Sequence, residues 1–258
     1  MKQRIITALC IIAAVLPPIL LGGIWLDLLI GAFVLVAVNE ILNCQFKRVP
    51  MSLYVLLVAA IGLMAFLDWG MVGAVMGITM MILFLYCVCF EEFSVDKISI
   101  VFIFTALISY TIRAILMIYD VYGPTTMIYV AVATYMTDTG AYFCGRFLGK
   151  HKLNERISPK KTIEGSVGGW ICGAVVSAGY GMLFTPEVPM LLLIGSSLLM
   201  PIVGQLGDLA FSAIKRHDGI KDFGNIFPGH GGVLDRIDSL IFNLILFMCL
   251  SLLLAMVI

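Results

Sequence analysis

The sequence predicts an all-α, polytopic integral membrane protein with about nine transmembrane helices. Of its 258 residues, 61% are hydrophobic and only 12% are charged, a composition that soluble domains do not have. Apolar stretches recur at roughly the 20-residue length that a helix needs to cross a bilayer. Lys and Arg residues are concentrated in the connections on one side, which is typical of a protein with a cytoplasmic N-terminus.

Charged and Gly/Pro-rich breaks divide the chain into successive apolar spans. The predicted spans are about 5–21, 24–42, 52–68, 71–90, 98–118, 124–144, 166–184, 189–211 and 237–257. The first span begins like a signal peptide, but no small-residue cleavage site follows, so we interpret it as a membrane span. The second and sixth spans have the weakest pattern. We expect one membrane-embedded domain, with N-terminal helices over 1–118 and catalytic helices over 124–258.

The distribution of cations predicts the topology. All of the 16 Lys and Arg residues except Arg113 fall in the connections on one side, which indicates a cytoplasmic N-terminus and an odd number of spans. Arg113 is expected to extend its head group to the outer interface. Two cytoplasmic connections, 145–165 and 212–236, are long and polar, as functional loops often are. The net charge is zero, and we expect no nucleic-acid partner.

Small residues recur every four positions along the seventh span. They are Gly165, Gly169, Gly173, Ser177 and Gly181. Such a ridge allows another helix to approach closely, so it predicts a packing surface, either within the chain or between subunits. The seven cysteines show no metal-binding or disulfide spacing and are expected to pack as small apolar residues.

Three acidic residues frame the second long connection. Asp235 and Asp238 lie three positions apart at the start of the ninth span, so they share a helix face. Asp208 lies near the end of the eighth span, where an apolar setting makes an unpaired carboxylate costly. Carboxylates that bind Mg²⁺ together with a nucleotide are usually completed by water and phosphate oxygens. Asp208 and Asp235 are therefore predicted metal ligands, the alternative being helix caps or ion pairs with Arg236 and Lys215.

A second polar cluster surrounds the start of the seventh span. Ser158 and Pro159 resemble a helix start, which would place Lys160 and Lys161 beside free backbone amides that suit a phosphate. Asp138 is an intramembrane carboxylate near the end of the sixth span. The two lysines are equally consistent with ordinary membrane-flanking anchors. Both clusters fall on the same predicted face, however, and a polyphosphate with magnesium needs carboxylates and cations together.

The connection between the last two spans resembles the signature of the phosphatidate cytidylyltransferases, or CDP-diacylglycerol synthases. That signature runs Ser-x-x-Lys-Arg, then Lys-Asp, then Pro-x-His-Gly-Gly-x-x-Asp-Arg-x-Asp. The matching residues are Ser212, Lys215, Arg216, Lys221, Asp222, Pro228, His230, Gly231, Gly232, Asp235, Arg236 and Asp238. The segments 138–142 and 158–162 also resemble upstream motifs of the family.

The resemblance implies an enzyme that transfers CMP from CTP to phosphatidic acid and releases pyrophosphate. It implies Mg²⁺ between Asp208 and Asp235, with K⁺ as a second candidate ion, and it implies a homodimer. The short N-terminus resembles the bacterial branch, so the expected location is the inner cell membrane, with the active site on the cytoplasmic side.

Roles for the basic residues follow as hypotheses. Lys215, Arg216, Lys221 and Arg236 are predicted to hold the triphosphate, with Asp238 beside them as a further catalytic candidate. The predicted substrate-binding residues are Asp138, Ser158, Lys160, Lys161, Ser212, Asp222, His230, Gly231 and Gly232. Lys160 and Lys161 would hold either the lipid phosphate or the nucleotide, and His230 either contacts phosphate or is a hydrogen-bonded structural residue.

Two other classes of protein compete with this interpretation. A CTP-dependent kinase of a polyprenol or phytol would transfer the γ-phosphoryl group and release CDP. A transporter could use Asp138, Asp208 and Arg113 as ligands, but transporters usually place such groups near the membrane midplane, whereas the polar groups here collect at one face. A related enzyme acting on an ether lipid is a third alternative.

Overall fold

The computed structural model describes residues 2–227 and 231–257, which form nine α-helices and one β-hairpin. Each predicted span coincides with one helix. The helices are α1 (Lys2–Leu21), α2 (Ile24–Gln45), α3 (Met51–Phe66), α4 (Trp69–Cys89), α5 (Val95–Tyr122), α6 (Pro124–Leu148), α7 (Ile163–Phe184), α8 (Met190–His217) and α9 (Leu234–Val257). The strands are β1 (Lys152–Asn154) and β2 (Ser158–Thr162).

Six helices in the described part of the chain are long and apolar enough to cross a membrane, namely α2, α4, α5, α7, α8 and α9. The apolar stretches of α1 and α3 are shorter, at Leu9–Leu21 and Met51–Phe66. In α6, Asp138, Arg146 and several threonines interrupt the apolar sequence. The protein is therefore an all-α integral membrane protein, while nine crossings and a cytoplasmic N-terminus stay predictions.

The chain divides into two compact units. The first comprises residues 1–113 and 222–236, and the second comprises residues 114–221 and 237–258. The helices α5 and α9 thus contribute to both units. The connection from 222 to 236 groups with the N-terminal helices, although in sequence it lies between α8 and the rest of α9.

In the first unit, α2 packs against both α1 and α3, and α3 packs against α4. Met64 of α3 is fully buried against Val72 of α4. The half-buried Arg113 donates hydrogen bonds from Nη1 to the carbonyl oxygens of Met64 and Leu67, at 2.7 and 2.6 Å. Because the last carbonyls of a helix lack intrahelical partners, Arg113 caps the C-terminal end of α3.

In the second unit, α7 packs closely against α6 and α8. The predicted small-residue ridge of α7 is buried in this packing. A Cβ atom at Gly165 would lie 2.8 Å from the carbonyl oxygen of Ala141, and one at Gly169 would lie 2.7 Å from that of Thr137. The ridge is therefore a packing surface within the chain, and the alternative of a subunit contact at these positions is wrong.

Replacement of Gly169 by alanine is expected to destabilise the protein. The added Cβ would meet a backbone oxygen of α6, so the helices must move apart, at a cost of about 1–3 kcal/mol. Gly179→Ala is the matched control, since it lies on the same helix with no atom within 4 Å of its added Cβ. Thermal unfolding in detergent measures both variants, and equal melting temperatures would contradict the prediction.

The predicted helix start at Ser158 and Pro159 is wrong. Residues Ser158–Thr162 form strand β2, which pairs antiparallel with β1. The helix begins only at Ile163, where the side chain of Thr162 accepts a hydrogen bond from the Gly165 amide at 3.1 Å. Thr162 therefore supplies the N-cap, and Pro159 occupies a two-stranded sheet in which every strand is an edge and proline is tolerated.

The long polar connections are also shorter than predicted. The helix α6 continues to Leu148 and α8 continues to His217, so Ser212, Lys215 and Arg216 are helical. The helix α9 begins at Leu234, three residues before the predicted span at 237. Polar residues at the ends of a membrane helix extend it into the interface, so the apolar core of a span ends before the helix does.

Candidate active site

A cavity of about 510 Å³ opens in the second unit, between α6, the hairpin, α7 and α8. Four of the predicted site residues line it: Asp138, Lys160, Lys161 and Asp208. The remaining lining residues are Ala141, Tyr142, Gly145, Arg146, Leu153, Thr162, Gly165, Ser166 and Gln205. The cavity thus combines cations and carboxylates, as the sequence predicts for a phosphate site.

Lys161 and Asp208, which both line the cavity, form an ion pair. Lys161 Nζ lies 2.5 Å from Asp208 Oδ2, and both side chains are partly exposed, at 28% and 29%. The hydroxyl of Ser212 donates to Asp208 Oδ1 at 3.3 Å. Both side chains remain accessible, so other charged groups can replace either partner of the ion pair. A phosphate could replace Asp208 as the partner of Lys161, and a metal cation could replace Lys161 as the partner of Asp208.

The hairpin fixes the two lysines in place. Lys152 Nζ of β1 donates to the Pro159 carbonyl at 2.6 Å, and Asn154 Oδ1 accepts from the Ile157 amide at 3.1 Å in the turn. At the base, Glu164 of α7 accepts from the Lys150 amide at 3.0 Å and contacts His151 Nδ1 at 2.6 Å. These bonds connect the two strands to each other and to the start of α7. They therefore fix the backbone of β2, whose Lys160 and Lys161 line the cavity.

Three of the cavity residues that the predicted site lacks, namely Tyr142, Arg146 and Gln205, have side-chain hydrogen bonds. Arg146 Nη1 donates to the Tyr142 hydroxyl at 2.8 Å, and the four-residue spacing of this pair on one helix is a signal that the sequence contains. Gln205 Nε2 donates to the carbonyl oxygens of Pro201 and Ser166, at 3.0 and 3.2 Å. Gln205 joins α8 to α7, and only the packing of these helices reveals it.

Further charged residues of the second unit gather near Asp208. The carboxylate of Asp238 interacts electrostatically with Asp208, Lys215 and Asp138. Lys215 is only 8% exposed, and its ammonium attracts the carboxylate of Asp238. Arg216, next to it, is exposed and donates to the Ile220 carbonyl at 3.1 Å. The Lys-Arg pair of the motif is thus divided between the acidic cluster and the end of α8.

Residues 222–236, which we call the signature segment, belong to the first unit and contain the remaining described motif residues apart from the exposed Lys221. Asp235 is buried, and its Oδ2 accepts from the amides of Phe223 and Gly232, at 2.7 and 3.0 Å. Gly231 has a φ of +85° and pairs with Phe227 through two backbone hydrogen bonds. A φ in this range favours glycine, so the backbone conformation at this motif position requires glycine.

The structure also describes Asp222 and Arg236 of this segment. A Cβ atom at Gly231 would be 3.2 Å from the carboxyl carbon of Asp222, so the two residues lie close together. Arg236 is exposed at the start of α9. His230 lies outside the described residues. In residues 2–227 and 231–257, no group of three or more His, Cys, Asp and Glu side chains has a metal-binding arrangement.

Comparison with known proteins agrees with the resemblance in the motifs. The model of the cytidylyltransferase family matches residues 2–254. A phosphatidate cytidylyltransferase of Staphylococcus aureus (strain COL) is 34% identical over 257 residues, which cover 95% of this chain and 96% of the relative. That of Bacillus subtilis (strain 168) is 47% identical over 123 residues, 48% of this chain and 46% of the relative. Since the match extends over nearly the whole chain, the protein belongs to the cytidylyltransferase family.

Proposed function

We infer that this protein is a phosphatidate cytidylyltransferase, a membrane nucleotidyltransferase that transfers CMP from CTP to phosphatidic acid. The products are CDP-diacylglycerol and pyrophosphate, and the reaction serves phospholipid biosynthesis. The observation that carries this function, beside the family membership, is the cavity that Lys160, Lys161, Asp138 and Asp208 line together. Cations and carboxylates around one cavity suit a reaction between two phosphate groups.

The transfer of CMP to phosphatidic acid does not require a strong general base. The phosphate monoester of phosphatidic acid is anionic at neutral pH and can attack the α-phosphorus of CTP without a strong general base. Catalysis then depends on positioning and on stabilising the charge of the transition state. Lys161 is suited to this role, because its ammonium is held at a fixed point by Asp208 and yet remains partly exposed.

The basic residues fall into two groups with different proposed roles in binding phosphate. Lys215, Arg216, Lys221 and Arg236 hold the triphosphate and the leaving pyrophosphate. Lys160 and Lys161 hold either the lipid phosphate or the nucleotide, with Asp138 and Ser158 supporting them. The position of Lys160 and Lys161 on one strand beside the cavity supports a joint role for the two.

The donor set suits magnesium. Asp208 and Asp138 line one cavity, and Asp238 interacts electrostatically with both. Repulsion between carboxylates in a mainly apolar setting favours a bound cation, and Mg²⁺ is commonly held by one or two carboxylates with phosphate oxygens and water. Asp208 would hold the ion, with Asp235 as the second ligand that the motif implies and K⁺ as an accompanying ion. Bound Mg²⁺ would neutralise charge on the reacting phosphates.

The relatives and the substrates support a proposed location and orientation of the enzyme in the cell. The bacterial relatives suggest the cell membrane, and CTP is a cytosolic nucleotide. The active site therefore faces the cytoplasm, which the one-sided distribution of Lys and Arg supports. The enzyme acts as a homodimer, as the resemblance implies, and light scattering of the detergent-solubilised protein measures its mass.

The decisive experiment determines which products receive the α- and the γ-phosphate of CTP. Purified protein in detergent is incubated with phosphatidic acid, MgCl₂ and CTP labelled at either the α- or the γ-phosphate. The α-label is expected in CDP-diacylglycerol and the γ-label in pyrophosphate. Transfer of the γ-label to a lipid would instead indicate a CTP-dependent kinase and overturn the proposal.

Lys161→Ala is expected to lower kcat/KM by about 100-fold, since it removes a charge-assisted contact with phosphate. Stability should change little, because partly exposed ion pairs contribute only about 0–1 kcal/mol. Lys150→Ala is the matched control, since the exposed side chain of Lys150 lies outside the cavity lining and its backbone amide keeps its bond to Glu164. Equal activities of the two variants would remove Lys161 from the site.

A further inference from the structure

A glutamate of the second helix is buried in the first unit. Glu40 is only 3% exposed and lies near the end of α2, in the mainly apolar sequence of a candidate membrane span. A buried carboxylate is costly unless hydrogen bonds or opposite charges compensate it. Glu40 therefore needs hydrogen-bond donors that offset the free-energy cost of its burial. Those donors lie far away in sequence.

Those partners are the backbone amides at the start of α9. Val233 N donates to Glu40 Oε1 at 2.8 Å, and Leu234 N donates to Oε2 at 3.0 Å. The first amides of a helix have no intrahelical acceptors, and the positive end of the helix dipole favours an anion. Each carboxylate oxygen thus takes one amide, so Glu40 caps α9 from another helix.

Two glycines of the signature segment make room for the carboxylate. A Cβ atom at Gly224 would lie 2.5 Å from Glu40 Oε1, and one at Gly232 would also clash with Oε1. Any other residue at either position would push the segment away from Glu40 or force the carboxylate to move. The glycine at 232 therefore has a structural partner that the motif itself does not reveal.

The same segment is attached to α2 and α5 at a second point. Cys44 Sγ contacts the Phe223 carbonyl at 3.1 Å, and the rings of Phe104 and Phe223 meet edge to face with centroids 5.3 Å apart. Phe223 N and Gly232 N both donate to Asp235 Oδ2. Glu40 and Asp235 thus bind consecutive parts of one backbone turn, Asp235 at residue 232 and Glu40 at residues 233 and 234.

We propose that Glu40 is a positioning residue of the enzyme, which holds the signature segment so that Asp235 has its catalytic orientation. The inference rests on the proposed catalytic role of Asp235. Glu40 acts only through the amides of Val233 and Leu234 and contacts no substrate. The N-terminal helices then serve the reaction directly, by fixing the backbone that carries an active-site carboxylate.

The first test is Glu40→Gln in the full-length enzyme in detergent. Glutamine keeps the length of the side chain but replaces one oxygen acceptor with an NH₂ donor, which faces a backbone amide. We expect kcat to fall about 30-fold with KM for CTP within about threefold, because misplaced catalytic groups weaken transition-state more than ground-state binding. Asn43→Ala is the control, since its side-chain bonds stay within α2, and its kcat should match that of the wild type.

Hydrogen exchange gives a readout that does not depend on activity. Peptides covering residues 231–236 should exchange about tenfold faster in Glu40→Gln, while peptides of α7 keep their rates, because only local opening is altered. Gly224→Ala reaches the same contact from the segment side and should accelerate the same peptides. The melting temperature of each variant shows whether it is folded.

The outcomes separate this inference from the proposed function. Faster exchange of residues 231–236 together with a lower kcat supports the positioning role. Unchanged exchange, or faster exchange with a normal kcat, overturns it. A wild-type protein that makes no CDP-diacylglycerol would overturn the proposed function instead, whereas the exchange rates would still show whether Glu40 holds the segment.

Discussion

Asp208→Asn is expected to lower the rate of CDP-diacylglycerol formation about 1,000-fold, or roughly 4 kcal/mol of transition-state stabilisation. The carboxylate is the partner of Lys161 at 2.5 Å and the acceptor for Ser212 at 3.3 Å. Asparagine keeps the shape but loses the charge that orients Lys161 and would hold the metal. Both contributions disappear together, which is why the expected loss exceeds that of Lys161→Ala.

The measurement is the initial rate as a function of MgCl₂ concentration, with phosphatidic acid and CTP held constant. The variant should need a higher Mg²⁺ concentration for its residual rate if Asp208 binds the ion as proposed, since its charge is lost. Glu155→Gln in the exposed hairpin turn removes a carboxylate outside the cavity lining and should leave the rate within about twofold. A rate for Asp208→Asn within threefold of the wild type would exclude Asp208 from catalysis.

Asp235→Asn has the second large expected effect, also about 1,000-fold. Its Oδ2 accepts from the amides of Phe223 and Gly232, and the amide oxygen of asparagine can accept from the same two donors. The turn should therefore persist in this variant while the negative charge is lost. A large loss of activity would then be due to the charge, as expected of a metal ligand.

Asp235→Ala provides the comparison, because it removes the acceptor as well as the charge. We expect faster hydrogen exchange in residues 222–227 and 231–236 for the alanine variant and normal exchange for asparagine. Asp68→Asn, an exposed carboxylate of the same unit, should leave activity unchanged. If Asp235→Asn is fully active, Asp235 organises the turn only, and its assignment as a metal ligand falls while the reaction stands.

The membrane helices were predictable because their signal is local. A span needs about 20 apolar residues whatever its neighbours are, and each predicted span coincides with a helix. The bounds were less accurate, as at α8, which continues through Lys215 and Arg216 to His217. The spacing of small residues on α7 predicted close packing, but it did not distinguish α6 of the same chain from another subunit.

The hairpin was not predictable from local pattern. Ser158 and Pro159 are typical of a helix start, yet pairing with β1 places them in a strand and transfers the N-cap to Thr162. Despite this change, Lys160 and Lys161 line the cavity, from β2 instead of from the start of a helix. Their membership of the predicted site depended on residue type and motif, and both are independent of backbone conformation.

Residues that join distant parts of the chain were the hardest to find. Gln205 links α8 to α7 through the Ser166 carbonyl, and Glu40 holds amides nearly two hundred residues away in sequence. A carboxylate within an apolar span is a signal for Glu40, but nothing local identifies its partner. Motifs mark residues that take part in chemistry, whereas residues that hold the motif in place have no fixed spacing from it.

The sequence by itself determined the class of protein, the approximate helices and the family, because hydropathy, charge distribution and a long polar motif are all written along the chain. The tertiary structure decided which predicted residues share a cavity, as Lys161 and Asp208 do, and which helix holds the signature segment. These contacts depend on how the helices pack in three dimensions. Since that packing is set by many weak contacts summed over whole helices, no short stretch of sequence encodes it.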